Sequence, residues 1–175
     1  MSSSVQGVDA EEDIFNATRH RGICQNREMT DVTVATLLGS WALIEWRIEY
    51  SEGRAPSWPF GKDAAGLLMY APDGWMSATM TKRERSALAD GTVMKPDDAS
   101  KARSFGEYLA YCGTWTLSGS TVSHDVRMSM NPVLIGLPHG REASLLDGVL
   151  TLIAKEPGPA GAVRTHYILW RRPTT

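Results

Sequence analysis

The 175-residue sequence is short of cysteine, of phenylalanine and of any block of one charge, and these shortages narrow what the chain can be. Its two cysteines, Cys24 and Cys112, fall one in a polar leader and one in a strand-like segment, which gives a structural disulfide no support. Eighteen Lys and Arg against twenty Asp and Glu leave a formal charge of -2, without the clustered cations that phosphate-backbone binding needs. Nucleic acid is not an expected partner. No apolar stretch reaches the roughly 18 to 20 residues of a membrane span, and Met1 to Asp13 is Ser-rich then acidic rather than basic then apolar. A cytoplasmic chain without a membrane partner is expected. There is no CxxC and no HExxH, and His20, His124, His139 and His166 are scattered, so neither metal nor cofactor is expected.

What the sequence does contain is strand after strand. Residues 1–33 are polar and poorly periodic, a flexible leader with at most a short helix around Glu11 to His20, and residues 34–173 form one domain. From Ser40 to Tyr50, Glu45, Arg47 and Glu49 share one parity, while Ile44, Trp46, Ile48 and Tyr50 share the other. A loop over 51–63 follows, holding Gly53, Pro56, Pro59 and Gly61. Pro72-Asp73-Gly74 divides a hairpin of Gly66 to Ala71 and Trp75 to Met80. Residues 82–107 are richer in charge, and Asp97 or Asp98 is placed to cap a helix. Gly119-Ser120 joins Tyr108–Ser118 to Thr121–Met130; Asp147-Gly148 joins Gly140–Leu146 to Val149–Ala154; a last strand covers Val163–Arg171. The pattern predicts an all-β fold, an eight-stranded antiparallel up-and-down barrel with a helical insertion between strands 3 and 4.

The two-residue loops fix registers. A loop at Gly119-Ser120 pairs Leu117 with Val122, Trp115 with His124, Gly113 with Val126 and Tyr111 with Met128, which puts His124 on an otherwise apolar inner face. A loop at Asp147-Gly148 pairs Leu145 with Leu150 and Ala143 with Leu152, which places Arg141 inward too. A buried imidazole or guanidinium costs several kcal/mol unless partnered. At the Pro72-Asp73-Gly74 hairpin the face carrying Leu67, Met69, Met76 and Met80 is taken as inward. With Met128 and Met130 it makes an adaptable lining for a bulky guest, or simply fills the barrel.

Leu38-Gly39-Ser40-Trp41, with Arg171 or Arg172 near the end of the last strand, resembles the Gly-x-Trp signature and closing arginine of the lipocalin superfamily. Together with Pro59 to Asp63, Gly66 to Tyr70, Pro72 to Ser77, Tyr108 to Trp115 and Thr121 to His124, the sequence over about 36–171 is similar to the microbial and fungal lipocalin-like domain proteins. That resemblance implies a lipocalin-like barrel binding a small hydrophobic ligand, and an association with natural-product biosynthesis, since related barrels include cyclases and isomerases. It carries no motif that fixes catalytic residues.

Two functional readings stay open. In the first, a cofactor-independent cyclase or isomerase confines a polyketide- or terpenoid-type intermediate, with His124 moving protons and Arg141 stabilising an enolate or polarising a carbonyl. In the second, a non-catalytic carrier sequesters a small hydrophobic molecule. In either, Tyr70, Met76, Tyr111, Trp115 and Met128 are candidate lining residues, and Asn131 a polar group at the cavity mouth.

Overall fold

The computed structural model describes residues 28–85 and 97–174. In chain order these form β1 (Met29–Thr30), α1 (Val34–Leu37), β2 (Gly39–Tyr50), β3 (Ala65–Tyr70), β4 (Trp75–Thr81), α2 (Asp98–Gly106), β5 (Tyr108–Ser118), β6 (Thr121–Ser129), β7 (Pro138–Leu146), β8 (Val149–Pro157) and β9 (Val163–Arg171). Single 3₁₀ turns at Pro132–Leu134 and Pro159–Gly161 precede β7 and β9.

Strands β2 to β9 pair antiparallel in succession, and β9 returns to β2, so eight strands close into a barrel. Closure leaves no ring strand with an unpaired edge. Short β1 lies outside the ring, its Met29 and Thr30 opposite Leu146 and Leu145, where β7 runs on past its pairing with β6. These two residues belong to the stretch expected as leader. The rest of that stretch, including the helix expected around Glu11 to His20, lies outside the described residues.

Helix α2 falls where an insertion is expected, between the third and fourth strands of the ring, with Asp97 as its cap and its carboxylate accepting from Ser100 N at 2.9 Å. Helix α1 is not anticipated by the sequence reading. Thr33 and Thr36 form a reciprocal capping box, and the single turn carries Leu37 against the barrel floor, fully buried.

Both two-residue loops form as read. Asp147 (φ 51°) and Gly148 (φ 73°) adopt the left-handed pair that a tight hairpin requires, and Leu145 stands opposite Leu150. Across β5 and β6, Leu117–Val122, Trp115–His124 and Gly113–Val126 pair as the register dictates.

Beyond Gly113 the register slips, and this corrects the lining expected there. A bulge adds one residue to β6, so Cys112 rather than Tyr111 stands opposite Met128, and Met128 turns outward, 57% exposed. Gly113 permits it: a Cβ at that position would run into the carbonyl oxygen of Asp125. A second bulge after Leu43 pushes Ile44 out of the inward series it was expected to share with Trp46, leaving it 39% exposed. The first hairpin needs a third correction. Its three-residue loop sets Ala71 N on Trp75 O and Tyr70 opposite Met76, so Leu68 and Tyr70 join Met76, Ala78 and Met80 inside while Leu67 and Met69 face out.

Candidate functional site

The barrel interior divides by depth. At the α1 end it is packed: Trp41, Leu68, Tyr70, Met76, Trp115, Val122, Leu145, Leu150, Leu152 and Trp170 are all buried. Met76, expected to line a cavity, is therefore part of a filled core. Toward the other end the inward series on four neighbouring strands lose their cover. On β9 the buried Trp170 and Ile168 give way to His166 and Arg164; on β8 Leu150 and Leu152 give way to Ala154 and Glu156; on β7 Leu145 and Ala143 give way to Arg141 and His139; on β2 the series continues as Trp46, Ile48 and Tyr50, all half-buried. Among the described residues the barrel is a cup, packed below and only half covered along the sector β7–β8–β9–β2. A hollow of about 480 Å³ bounded by Ser51, Glu52 and Pro159 to Ala162 sits on the rim where β2 ends and β9 begins.

Two expected site residues meet where floor and cup join. His124, on β6, is 1% exposed, and Arg141, on β7, is half-buried; Arg141 Nη1 lies 3.2 Å from His124 Nδ1. Tyr111 Oη is also 3.2 Å from Nδ1, and Tyr70 Oη is 2.8 Å from Nε2. A guanidinium can only donate, so Nδ1 is the acceptor and Nε2 carries the proton, which it donates to Tyr70. Burial first, then the charge of Arg141 and the neighbouring His139, hold the imidazole well below the ordinary histidine range. Burial likewise pushes the Tyr70 hydroxyl far above the usual phenol range, Tyr111 adding to the rise and Arg141 opposing it. His124 is thus a neutral imidazole locked into the core.

Arg141 is in a different position. Its Nη1 also donates to His139 O at 3.0 Å, but among the described residues no ion pair includes it and its Nε and Nη2 donate to nothing. Among the described residues this half-buried, inward-facing cation has no counter-ion.

The remaining candidates separate. Tyr70 and Trp115 pack ring to ring at 4.6 Å, with Trp115 Nε1 donating to Ala71 O, so both are structural wall at the floor. Tyr111 reaches from β5 to the His124–Arg141 pair, the Arg141 Cζ lying 6.0 Å from its ring centroid. Met128 is on the outer surface, and Asn131 Oδ1 accepts from Val133 N, capping the 3₁₀ turn at Pro132–Leu134.

Sequence reasoning missed a polar group farther along the wall, on β8 and β9. Trp46 Nε1 donates to His166 Nδ1 at 3.2 Å, and His166 Nε2 lies 3.2 Å from Glu156 Oε2, which Arg164 approaches at 3.9 Å. The alternation in β9 gives no warning, because Tyr167 and Leu169 on the outer parity look as apolar as Ile168 and Trp170 on the inner one.

At the closed end, Arg172 lies over the Trp41 ring at 3.8 Å and donates to Thr36 O and Ser40 O, while Trp41 Nε1 donates to Leu37 O. This is the Trp and closing-arginine pair that the sequence resemblance called for, and the family model of the lipocalin-like domain matches residues 38–173. The chain belongs to the lipocalin-like domain family. No curated protein matches it. A lipocalin-like barrel fits the binding of a small hydrophobic ligand. Among the described residues no helix is long and apolar enough to cross a membrane.

Proposed function

We propose that the protein binds a small, largely apolar molecule carrying one anionic oxygen, its apolar body in the cup and that oxygen on Arg141. The observation that carries this reading is that, among the described residues, the half-buried guanidinium of Arg141 has no ion pair and lies on the inward parity of the half-covered sector, near Ala154. A half-buried cation is stabilised by an anion that arrives with the ligand. The test is fluorescence titration with naphthoate and with its uncharged methyl ester. Arg141→Met weakens naphthoate about tenfold or more and the ester less than about twofold. Equal losses for both probes, or none, contradict the reading.

One feature favours chemistry in addition to binding. His124 Nδ1 has a single lone pair, yet both Arg141 and Tyr111 approach it at 3.2 Å. One donor is therefore surplus, and a spare donor next to the guanidinium of Arg141 suits a developing enolate. On this second reading the ligand is an intermediate of secondary-metabolite biosynthesis that Arg141 and Tyr111 help to isomerise or cyclise, with His124 positioning them. Incubation with such an intermediate checks it: Tyr111→Phe slows conversion at least tenfold while the ligand still binds, and unchanged turnover refutes it.

A further inference from the structure

We infer that Cys112, Met128 and Met130 form a binding site for a soft monovalent metal ion, copper(I), on the outer face of β5 and β6. The site lies on the side of the sheet away from the cup and stands independently of the reading of Arg141.

The bulge in β6 builds it. In an unbroken register Met128 is opposite Tyr111 and points inward; the extra residue sets it opposite Cys112 instead, on the outer face and 57% exposed. Past the bulge Ser129 pairs with Tyr111, and Met130 N donates to Ala110 O at 2.9 Å, so Met130 returns to the outer parity two residues along from Met128. The fold thus forgoes the burial of one methionine, and requires Gly113 for the close approach of Asp125, in an arrangement that brings a thioether alongside a thiol.

The three side chains line one groove of about 280 Å³, together with Ala110 and Ser77. Ser77 stands opposite Cys112 on β4 and Ala110 precedes it by two on β5, so small side chains sit where bulkier ones would fill the hollow. Cys112 is a free, half-buried cysteine, and among the described residues no hydrogen bond engages its sulfur. Directly opposed residues on one face of a sheet hold their Cβ atoms about 5 Å apart and diagonal ones about 7 to 8 Å, spans that the three rotatable bonds of methionine can close around a shared ion.

The donors select the ion. One thiolate and two thioethers are soft ligands carrying a single negative charge between them, which neutralises a monovalent soft ion and suits copper(I). No carboxylate, imidazole or other charged side chain lines the groove, so calcium and magnesium find no carboxylate there, and zinc finds one of the thiolate, imidazole or carboxylate ligands of which it takes three or four. Arg127, the added residue of the bulge, has its guanidinium on Asp125 at 2.7 Å. Binding releases the thiol proton. Motifs of paired cysteine and histidine do not reveal such a site, since two of its ligands are thioethers and the third meets them only across the strand pair.

The test is an anaerobic titration of the reduced full chain with copper(I) in competition with bicinchoninate, a chromophoric copper(I) chelator. One equivalent binds and zinc does not displace it. Cys112→Ser abolishes uptake, the double variant Met128→Leu, Met130→Leu weakens it about tenfold or more, and Cys24→Ser leaves it unchanged. In the unaltered chain labelled at its methionine methyls, silver(I), a redox-inert substitute for copper(I), shifts the Met128 and Met130 signals and leaves the other six of the eight methionines unmoved. No uptake, or uptake that survives Cys112→Ser, overturns the site. Uptake that needs Cys112 but is indifferent to the two methionines, with their methyl signals unmoved, overturns it as well and leaves only a metal-reactive thiol.

Discussion

Replacing Tyr70 and His124 separately and together tests whether the buried network is organised as its geometry implies. Tyr70→Phe removes the oxygen that receives Nε2–H at 2.8 Å, in a place where both side chains are excluded from water. The orphaned imidazole N–H then costs about 1 to 3 kcal/mol, since no water replaces the lost acceptor. His124→Leu leaves the Tyr70 hydroxyl without a partner and takes the shared acceptor from Tyr111 and Arg141, for about 2 to 4 kcal/mol. In the His124→Leu background, however, the Tyr70 hydroxyl is already unpaired, so removing it costs less than about 0.5 kcal/mol or is stabilising. The double variant is therefore more stable than the sum of the singles by about 1 to 2 kcal/mol. Urea unfolding followed by tryptophan fluorescence reads all four corners of the cycle. Single-variant losses that add to within about 0.3 kcal/mol would refute a direct, desolvated Tyr70–His124 hydrogen bond.

Other consequences follow from the same geometry. The folded pKa of His124 lies below its ordinary 6.5, so as pH falls the unfolded chain takes the proton first. Stability from this group is complete above about pH 6.5 and is lost below it at about 1.4 kcal/mol per unit, down to the folded pKa; a His124→Gln variant compared across pH lacks that slope. Gly113→Ala drives a methyl into the Asp125 carbonyl at the β6 bulge and costs about 3 kcal/mol or more by chemical denaturation, whereas Gly140→Ala, with Thr121 Cγ2 no nearer than 3.7 Å, stays within about 1 kcal/mol. Arg172→Met gives up two backbone hydrogen bonds and the contact over Trp41, lowering stability by about 1 to 3 kcal/mol in the same assay.

Much of the barrel is legible in the residues because two-residue loops leave little freedom. Gly119-Ser120 and Asp147-Gly148 dictate which side chains oppose which, and from them the inward positions of His124 and Arg141 follow directly. What escapes is whatever shifts parity part-way along a strand. The bulge at Gly113 that turns Met128 outward, and the one after Leu43 that expels Ile44, leave no mark in local hydrophobicity, since methionine and isoleucine read as inward residues on either face. The first hairpin escapes for a related reason: Leu67 and Met69 are as apolar as Leu68 and Tyr70, and only the exact loop length decides between them. The single-turn helix α1 is too short to show a period. His166 and Glu156 become visible as a pair only once β8 and β9 lie side by side, because ten residues and a Pro-rich turn separate them in sequence.

The central claim is that the ligand enters the half-open sector of the barrel rather than settling on its exterior. Two-dimensional NMR of the labelled protein titrated with naphthoate locates it directly. Shifts concentrated at the Trp46 indole, Ile48, Ala154, Arg141 and His166 are the expected result. Shifts confined to the outer surface, at Leu67, Met69, Trp75 and Met128, with the lumen resonances unmoved, would contradict it.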